Sequence, residues 1–138
     1  MRAQTKLIAL GAVFMVLLSS IIVMALIDDV EGPLIYEVDI LPVSPKAGDM
    51  IAVIIYCIDS SGVSGAQLSS SVNDEEWVVE DMKFYACLCL AGGRWTAAFG
   101  PLNEGDVGRF FVTSFDNSPF ENTAETQVYE IVIEIESR

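Results

Sequence analysis

The chain has 138 residues, of which 52% are hydrophobic, with 7 basic residues, 20 acidic residues and no histidine. The length is typical of a single domain, and the lack of histidine excludes Ser-His-Asp catalysis and His-ligated zinc. The formal charge of −13 argues against nucleic acid as a partner, because phosphate binding needs clustered Lys and Arg side chains.

The first predicted element is an apolar helix over residues 7–27, whose 21 residues carry no charge. At about 1.5 Å per residue, such a helix spans roughly 30 Å, the thickness of the hydrocarbon core of a bilayer. Arg2 and Lys6 precede it and acidic residues follow it, which predicts a cytoplasmic N-terminus at 1–6 and an extracytoplasmic C-terminal part. We therefore expect a single-pass transmembrane helix or uncleaved signal anchor at 7–27, followed by a linker at 28–33.

Two alternatives apply to the same segment. A signal peptide cut near Ala25 would release a secreted β-sandwich protein, although its apolar region is usually only about 7–15 residues long. Separately, Arg2-Ala3 followed by a long apolar helix is similar to the start of archaeal type IV pilins and archaellins. That resemblance implies a cut after Ala3 and a homo-oligomeric filament whose core contains the apolar helices.

The second predicted unit is an extracytoplasmic domain at 34–138. The 111 residues that follow the helix, 28–138, hold 5 basic and all 20 acidic residues, a formal charge of −15. Short runs of alternating apolar residues separated by turn residues predict an all-β, antiparallel sandwich of seven to eight strands. The predicted strands are Ile35–Ile40, Ile51–Ile58, Ala66–Val72, Trp77–Val79, Phe84–Leu90, Trp95–Phe99, Arg109–Phe115 and Gln127–Glu136.

Several short motifs in residues 34–136 occur in the order typical of one family of modules. They are Gly48-Asp49-Met50-Ile51-Ala52-Val53, Asp59-Ser60-Ser61-Gly62-Val63, Glu76-Trp77, Met82, Gly93-Arg94-Trp95-Thr96-Ala97, Gly105-Asp106, Phe110-Phe111-Val112 and Asp116-Asn117. In this order the chain resembles the immunoglobulin-like and fibronectin type III-like modules of archaeal and bacterial cell-surface proteins. The resemblance implies an immunoglobulin-like β-sandwich at the cell surface and no catalytic residue.

The strand Ile51–Ile58 is apolar on both faces, which provides the main functional lead. Its second face carries Ile54, Tyr56 and Ile58, where a solvated sandwich normally has polar side chains. Either neighbouring chain covers this face, or it is an exposed patch that binds a partner. Phe111 and Phe115 share one face of a later strand and raise the same question. These five residues form the candidate interaction face.

The cysteines and tryptophans have structural interpretations. Cys57 could form a disulfide with Cys87 or Cys89, or all three could be buried thiols, and three cysteines leave at least one thiol free. Zinc is not expected, because three thiolates without histidine make an incomplete site. Trp77 and Trp95 are expected in the core, between the two sheets.

Acidic residues in the predicted loops raise a calcium hypothesis, because calcium takes oxygen ligands. No segment has the spacing of a dedicated calcium loop, however, and Asp59 and Asp116-Asn117 occupy positions where such side chains stabilise turns. We therefore expect no metal and no cofactor. The acidic residues considered are Asp59, Asp74, Glu75, Glu76, Asp106, Asp116 and Glu121.

Together these features predict a membrane-anchored, non-enzymatic surface module. Its expected role is adhesion, protein interaction or scaffolding in the cell envelope, with the membrane bound through residues 7–27 and a protein partner at the cell surface. The filament subunit and the secreted sandwich protein are the alternatives.

Overall fold

The structure, a computed structural model, describes residues 2–26, 30–88 and 93–136, with the backbone alone for residues 2, 3 and 20–26. The chain divides into two compact units, Met1–Val30 and Glu31–Arg138. The predicted linker at 28–33 and the ends of the predicted anchor and of the predicted strand Phe84–Leu90 fall partly outside the described residues.

The first unit contains one helix, α1, at Arg2–Leu26, so the predicted N-terminal helix is confirmed. Its large apolar side chains between residues 7 and 18 are exposed. In the part of the chain that the structure describes, no helix is long and apolar enough to cross a membrane, and the membrane span expected at 7–27 therefore gains no support.

The second unit contains nine strands among its described residues, one more than the upper limit of the prediction. The strands are β1 Leu34–Leu41, β2 Ile51–Ile58, β3 Val63–Val72, β4 Val78–Asp81, β5 Lys83–Tyr85, β6 Arg94–Phe99, β7 Val107–Asp116, β8 Thr123–Glu125 and β9 Tyr129–Val132. They form two antiparallel sheets, which confirms the all-β sandwich. The first sheet has the order β1-β2-β6-β5, and the second has the order β4-β3-β7-β8, with β9 also pairing with β7.

The core lies between the two sheets and is built from alternate residues of their strands. On β2 the buried residues are Ile51, Val53, Ile55 and Cys57, and on β7 every second residue from Gly108 to Asp116 is buried. This period of two follows from strand geometry, because successive side chains point to opposite faces. Phe110 is fully buried and joins Phe99 to Tyr129 through ring contacts at 5.8 Å and 5.0 Å.

Two predicted strands are shorter in the described part of the structure. Of Phe84–Leu90, the structure describes residues 84–88, and only Phe84 and Tyr85 lie in β5, where Tyr85 is opposite Arg94, the first residue of β6. Gln127–Glu136 is reduced to β9, which ends at Val132 opposite Val107, the first residue of β7. Alternation in the sequence indicates a strand, but the hydrogen-bonded length depends on the neighbouring strand.

Strand β8 was not predicted, and it lies beside β7 in continuation of β9. Between them, the Thr126 backbone N–H donates to the Val112 carbonyl at 2.9 Å, and the Val112 N–H donates to Thr126 Oγ1 at 3.0 Å. A side-chain oxygen therefore takes the place of a backbone acceptor, and the edge of the second sheet is interrupted at this residue.

Candidate functional site: the tyrosine face of the first sheet

The first sheet turns its outer face away from the core, and β2 contributes four side chains to it. Ala52, Ile54, Tyr56 and Ile58 alternate with the buried residues of the same strand and are all partly exposed. The structure thus places Ile54, Tyr56 and Ile58, three of the five candidate residues, together on one outer face.

The pairing of β2 with β6 and of β6 with β5 places aromatic and basic side chains in a row across this face. Tyr56 on β2 lies opposite Arg94 on β6, and Arg94 lies opposite Tyr85 on β5. Directly opposed residues of neighbouring antiparallel strands project from the same face, so the three side chains form one continuous row.

A β-bulge in β1 adds a further tyrosine to this row. The register shifts between Ile35 and Glu37, and Glu37 lies opposite Tyr56. The extra residue, Tyr36, places its ring 6.2 Å from that of Tyr56, and the two rings are tilted by 38°. Tyr36 and Tyr85 are 37% and 40% exposed, so the row is open to solvent at both ends. A bulge inserts one unpaired residue and re-aims its side chain, which here adds a second aromatic ring beside Tyr56.

Basic side chains concentrate at the β5 end of the row. Arg94 Cζ lies 5.6 Å and Lys83 Nζ lies 5.5 Å from the centre of the Tyr85 ring, both within the range of cation–π contacts. Arg94 Nε is buried and has no hydrogen-bond acceptor within the described part of the chain. We define the tyrosine face as the set Tyr36, Ile54, Tyr56, Lys83, Tyr85 and Arg94.

Of these residues, Tyr36, Lys83, Tyr85 and Arg94 were not among those predicted. Alternation in Lys83-Phe84-Tyr85 places Lys83 and Tyr85 on one side of a strand and could have paired them from the sequence. The sequence does not show which strands are neighbours in the sheet or how their residues are paired. The position of β6 between β5 and β2 and the bulge at Tyr36 could therefore not be predicted.

Phe111 and Phe115 lie on the outer face of the second sheet, so the five candidate residues do not form one surface. Phe111 lies opposite Ser69, and its ring packs edge-on against Trp77 at 5.1 Å. Trp77 is 43% exposed, so its expected place in the core is wrong. Trp95 is buried in the core, as predicted. Trp77 comes just before the edge strand β4, whose residues are all exposed, and therefore stacks on the outside of the sheet.

The three cysteines differ in their surroundings. Cys57 is a free thiol on the inner face of β2, and burial raises its pKa to about 11, which keeps the thiol protonated at neutral pH. Cys87 is disulfide-bonded, and Cys89 lies outside the described residues. The disulfide considered for Cys57 is thus not present in the structure.

The acidic loops contain turn-stabilising carboxylates, as predicted for Asp59 and Asp116. Asp59 Oδ1 accepts hydrogen bonds from the backbone N–H of Ser61 at 2.8 Å and from its hydroxyl at 2.6 Å. Asp116 accepts from the backbone N–H of Ser118 at 3.1 Å. These are the short-range bonds by which Asp side chains build turns. Among the described residues, no three metal-ligating side chains of the Cys, Asp and Glu types come together as a site.

Another acidic residue, Asp106, joins two loops. Asn73 donates to Asp106 Oδ1 at 2.8 Å, and the Asn103 backbone N–H donates to its Oδ2 at 2.7 Å. The hydrogen bond from Asn73, followed by that from Asn103, lowers the pKa of Asp106. Asn73 also accepts from the Val107 N–H at 2.9 Å, so this cluster holds the turn after β3 against the start of β7. Its carboxylate has a structural partner on each oxygen.

Asp74, beside Asn73, forms an ion pair with Arg109, which also contacts Glu130 at 2.8 Å. Glu75 and Glu76 are exposed in the same turn, and Glu121 is exposed in the loop after β7. The acidic residues considered for calcium are therefore spread over separate loops.

Comparison with known proteins gives a likeness at the level of the fold. No protein-family model matches the sequence, and no curated protein matches it. Among solved structures, the crystal structure of the bromine derivative of BhCBM56, a carbohydrate-binding module, is similar over 71% of this chain and 91% of that chain. The TM-score is 0.53 and the sequence identity is 15%, so the likeness shows that the two chains share a β-sandwich fold.

Proposed function

We propose that residues 34–136 form a non-catalytic binding module whose tyrosine face binds a glycan. The observation that carries the proposal is the row of Tyr36, Tyr56 and Tyr85 across the outer face of the first sheet. Aromatic rings have electron-rich faces, on which the weakly positive C–H groups of a sugar ring can stack. Tyrosine hydroxyls and the Arg94 guanidinium supply hydrogen-bonding groups beside the rings.

The shape of the face suits an extended ligand. The row runs from β1 to β5, across three intervals between strands of about 4.8 Å each. It follows the surface of the sheet, which favours a chain of sugars lying across the strands over a small molecule enclosed in a pocket. The fold likeness to a carbohydrate-binding module supports the same class of ligand.

Binding to purified polysaccharides tests this proposal. Native affinity electrophoresis with laminarin, xylan, mannan, hydroxyethylcellulose and polygalacturonate identifies a ligand, and calorimetry measures its Kd. We expect Tyr56→Ala to raise the Kd about tenfold or more, a loss of at least about 1.4 kcal/mol, because it removes the central ring of the row.

Trp77→Ala is the matched control, because it removes an exposed aromatic ring from the other sheet. Its Kd should equal that of the unchanged protein. Circular dichroism verifies that both variants are folded. The proposed site would be contradicted if the protein bound none of the polysaccharides. It would also be contradicted if Trp77→Ala lost binding and Tyr56→Ala did not.

A protein partner on the same face is a second candidate. Leu34 and Leu41 on the edge strand β1 are 63% and 46% exposed and extend the apolar surface of Ile54 and Ile58. Exposed apolar patches are typical of protein-binding surfaces. Replacing Ile54 with Ser separates the two candidates: protein binding should weaken, whereas stacking of sugars on the tyrosine rings should not.

We also propose an immunoglobulin-like arrangement for the sandwich. In immunoglobulin nomenclature, strands A to F correspond to β1, β2, β3, β5, β6 and β7, and strand G corresponds to β8 and β9. The two sheets then have the orders A-B-E-D and C-F-G, and β4 lies at the edge beside strand C. Apart from β4, the orders A-B-E-D and C-F-G are those of immunoglobulin constant domains. The agreement in strand order supports the proposal beyond the general likeness of a sandwich.

For the location of the module, we propose attachment to a cell membrane through residues 7–27, with the sandwich outside the cytoplasm. The support is the uncharged sequence of this segment together with the exposure of its described apolar side chains around α1. A helix that is apolar on all sides is normally buried in protein or lipid. Against this stands the finding that none of the described helical residues form a membrane-crossing span.

Membrane fractionation and intact mass test the location. We expect the full-length chain in membranes washed with carbonate at high pH, because a spanning helix resists extraction. A chain shortened by about 25 residues and released by the wash would support the secreted protein instead. Loss of Met1-Arg2-Ala3 alone, with filaments visible by electron microscopy, would support the filament subunit.

A further inference from the structure

Positive charge is scarce in the sandwich and is concentrated on the tyrosine face. Of the five basic residues after α1, the structure describes four: Lys46, Lys83, Arg94 and Arg109. Arg109 is neutralised by ion pairs with Asp74 and Glu130. Lys83 Nζ and Arg94 Cζ lie 5.5 Å and 5.6 Å from the centre of the Tyr85 ring, and neither side chain forms an ion pair with a carboxylate in the described part of the chain.

The tyrosine face is polarised from one side to the other. Glu37 and Asp39 lie on β1, opposite Tyr56 and Ile54, whereas Arg94 and Lys83 lie on β6 and β5. Two strand intervals, about 10 Å, separate Glu37 from Arg94. This distance equals about one Debye length at 0.1 M salt, so each end of the row presents its own charge to a bound ligand.

We propose that the tyrosine face selects an anionic glycan, with a uronic acid carboxylate bound by Lys83 and Arg94 above Tyr85. This inference rests on the proposed glycan-binding function and adds the chemical class of the sugar. Arg and Lys side chains bind carboxylates through charge-assisted hydrogen bonds, and the planar guanidinium can present two parallel donors. The neutral faces of the sugar rings stack on the tyrosines.

The charge of the domain makes this arrangement selective. Residues 28–138 carry a formal charge of −15, so the rest of the surface repels polyanions. The net charge of the domain therefore does not attract an acidic polymer. Its affinity depends on contacts with Lys83 and Arg94 and on stacking of its sugar rings on the tyrosines. Acidic proteins and nucleic acids have no pyranose rings to stack on the tyrosines, so we expect them to bind this face more weakly.

Matched neutral and acidic oligosaccharides test the inference. The probes are oligogalacturonate and oligoglucuronate, each compared by calorimetry with the same oligosaccharide after reduction of its carboxyl groups. We expect the full chain to bind one acidic probe at least tenfold more tightly than its reduced form. The preference should weaken as NaCl is raised from 50 to 500 mM, because salt screens an exposed charge contact.

Three variants locate the selectivity. Lys83→Gln and Arg94→Gln should each reduce the preference for the acidic probe over its reduced form to less than threefold, because each removes a positive charge that faces the carboxylate. Lys46→Gln removes the same charge from the loop between β1 and β2 and should keep the full preference. Lys83 is exposed, so Lys83→Gln still tests the inference if Arg94→Gln does not fold.

The outcomes separate this inference from the proposed function. Equal affinity for acidic and reduced probes overturns the selection of an anion and leaves glycan binding intact. Binding of neutral polysaccharides alone has the same consequence. Binding of poly-glutamate as tightly as of the uronates would show attraction by charge alone and overturn the inference. Retention by no saccharide at all overturns both.

Discussion

At the scale of single residues, Asp116 is a carboxylate that accepts several hydrogen bonds from the loop that follows it. Its Oδ1 accepts from the Ser118 hydroxyl at 2.8 Å and from the Asn122 backbone N–H at 2.9 Å, and its Oδ2 accepts from Asn122 Nδ2 at 2.8 Å. Burial alone would raise the pKa of Asp116, but the hydrogen bonds from Ser118 and Asn122 outweigh it and lower the pKa. The ionised form therefore stabilises the loop after β7.

This lowered pKa gives a testable pH dependence. An acid whose pKa is lower in the folded state contributes stability that is complete above its unfolded pKa, about 3.9, and is lost as pH falls through the folded pKa. We expect Asp116→Asn to unfold at lower denaturant concentration than the unchanged chain at pH 7. The difference should shrink below about pH 4. Urea titrations monitored by circular dichroism at pH 7, 5, 4 and 3 provide the measurement.

Glu121→Gln is the control, since it removes one negative charge from an exposed side chain of the same loop. Its unfolding midpoint at pH 7 should remain close to that of the unchanged protein. If the unfolding midpoints of Asp116→Asn and the unchanged chain differ by the same amount from pH 7 to pH 3, the ionised carboxylate is not what stabilises the loop.

At the scale of the elements, Gly108 fixes how closely β7 approaches the opposite sheet. A Cβ atom added there would lie 2.9 Å from Leu102 Cδ1 and 3.0 Å from Phe99 Cε2, both in the core. We expect Gly108→Ala to lower the free energy of unfolding by about 1–3 kcal/mol, because overpacked cores force side chains and backbone apart. Urea unfolding checks this value.

Gly65→Ala on β3 is the matched comparison for Gly108→Ala. Its added Cβ would meet only Phe115 Cδ2, at an ordinary contact distance of 3.9 Å. Because alanine also restricts the unfolded chain, this variant should be neutral or more stable by up to about 1 kcal/mol. Equal losses from both variants would show that glycine is needed for the strand backbone and not for packing at the core.

Most of the strands could be predicted from the sequence, but the residues at which they begin and end were predicted less accurately. The predicted strand Ile51–Ile58 matches β2 in full, because β2 has a hydrogen-bonded neighbour along each of its two edges. Gln127–Glu136 also alternates, yet only Tyr129–Val132 is a strand. Beyond it, Ile133 exchanges backbone hydrogen bonds with Asp106 and Gly105 in the turn before β7. Short β8 was missed because three residues give too little alternation to detect.

At the scale of the whole molecule, the two-sheet sandwich could be predicted and the composition of its faces could not. Alternation separates Tyr56 from Ile55 as residues of opposite faces. It does not reveal that Arg94 lies beside Tyr56, because that pairing joins residues far apart in the chain. The same limit led to the grouping of Phe111 with Tyr56, although they lie on different sheets.

The interruption at Thr126 has a consequence for encounters between copies of the chain. A long unbroken edge strand exposes a row of free N–H and C=O groups that can template pairing with another molecule and lead to aggregation. Here the edge beside β7 is divided into segments of three and four residues, β8 and β9. This break shortens each row of free backbone groups and so disfavours sheet extension between copies of the chain.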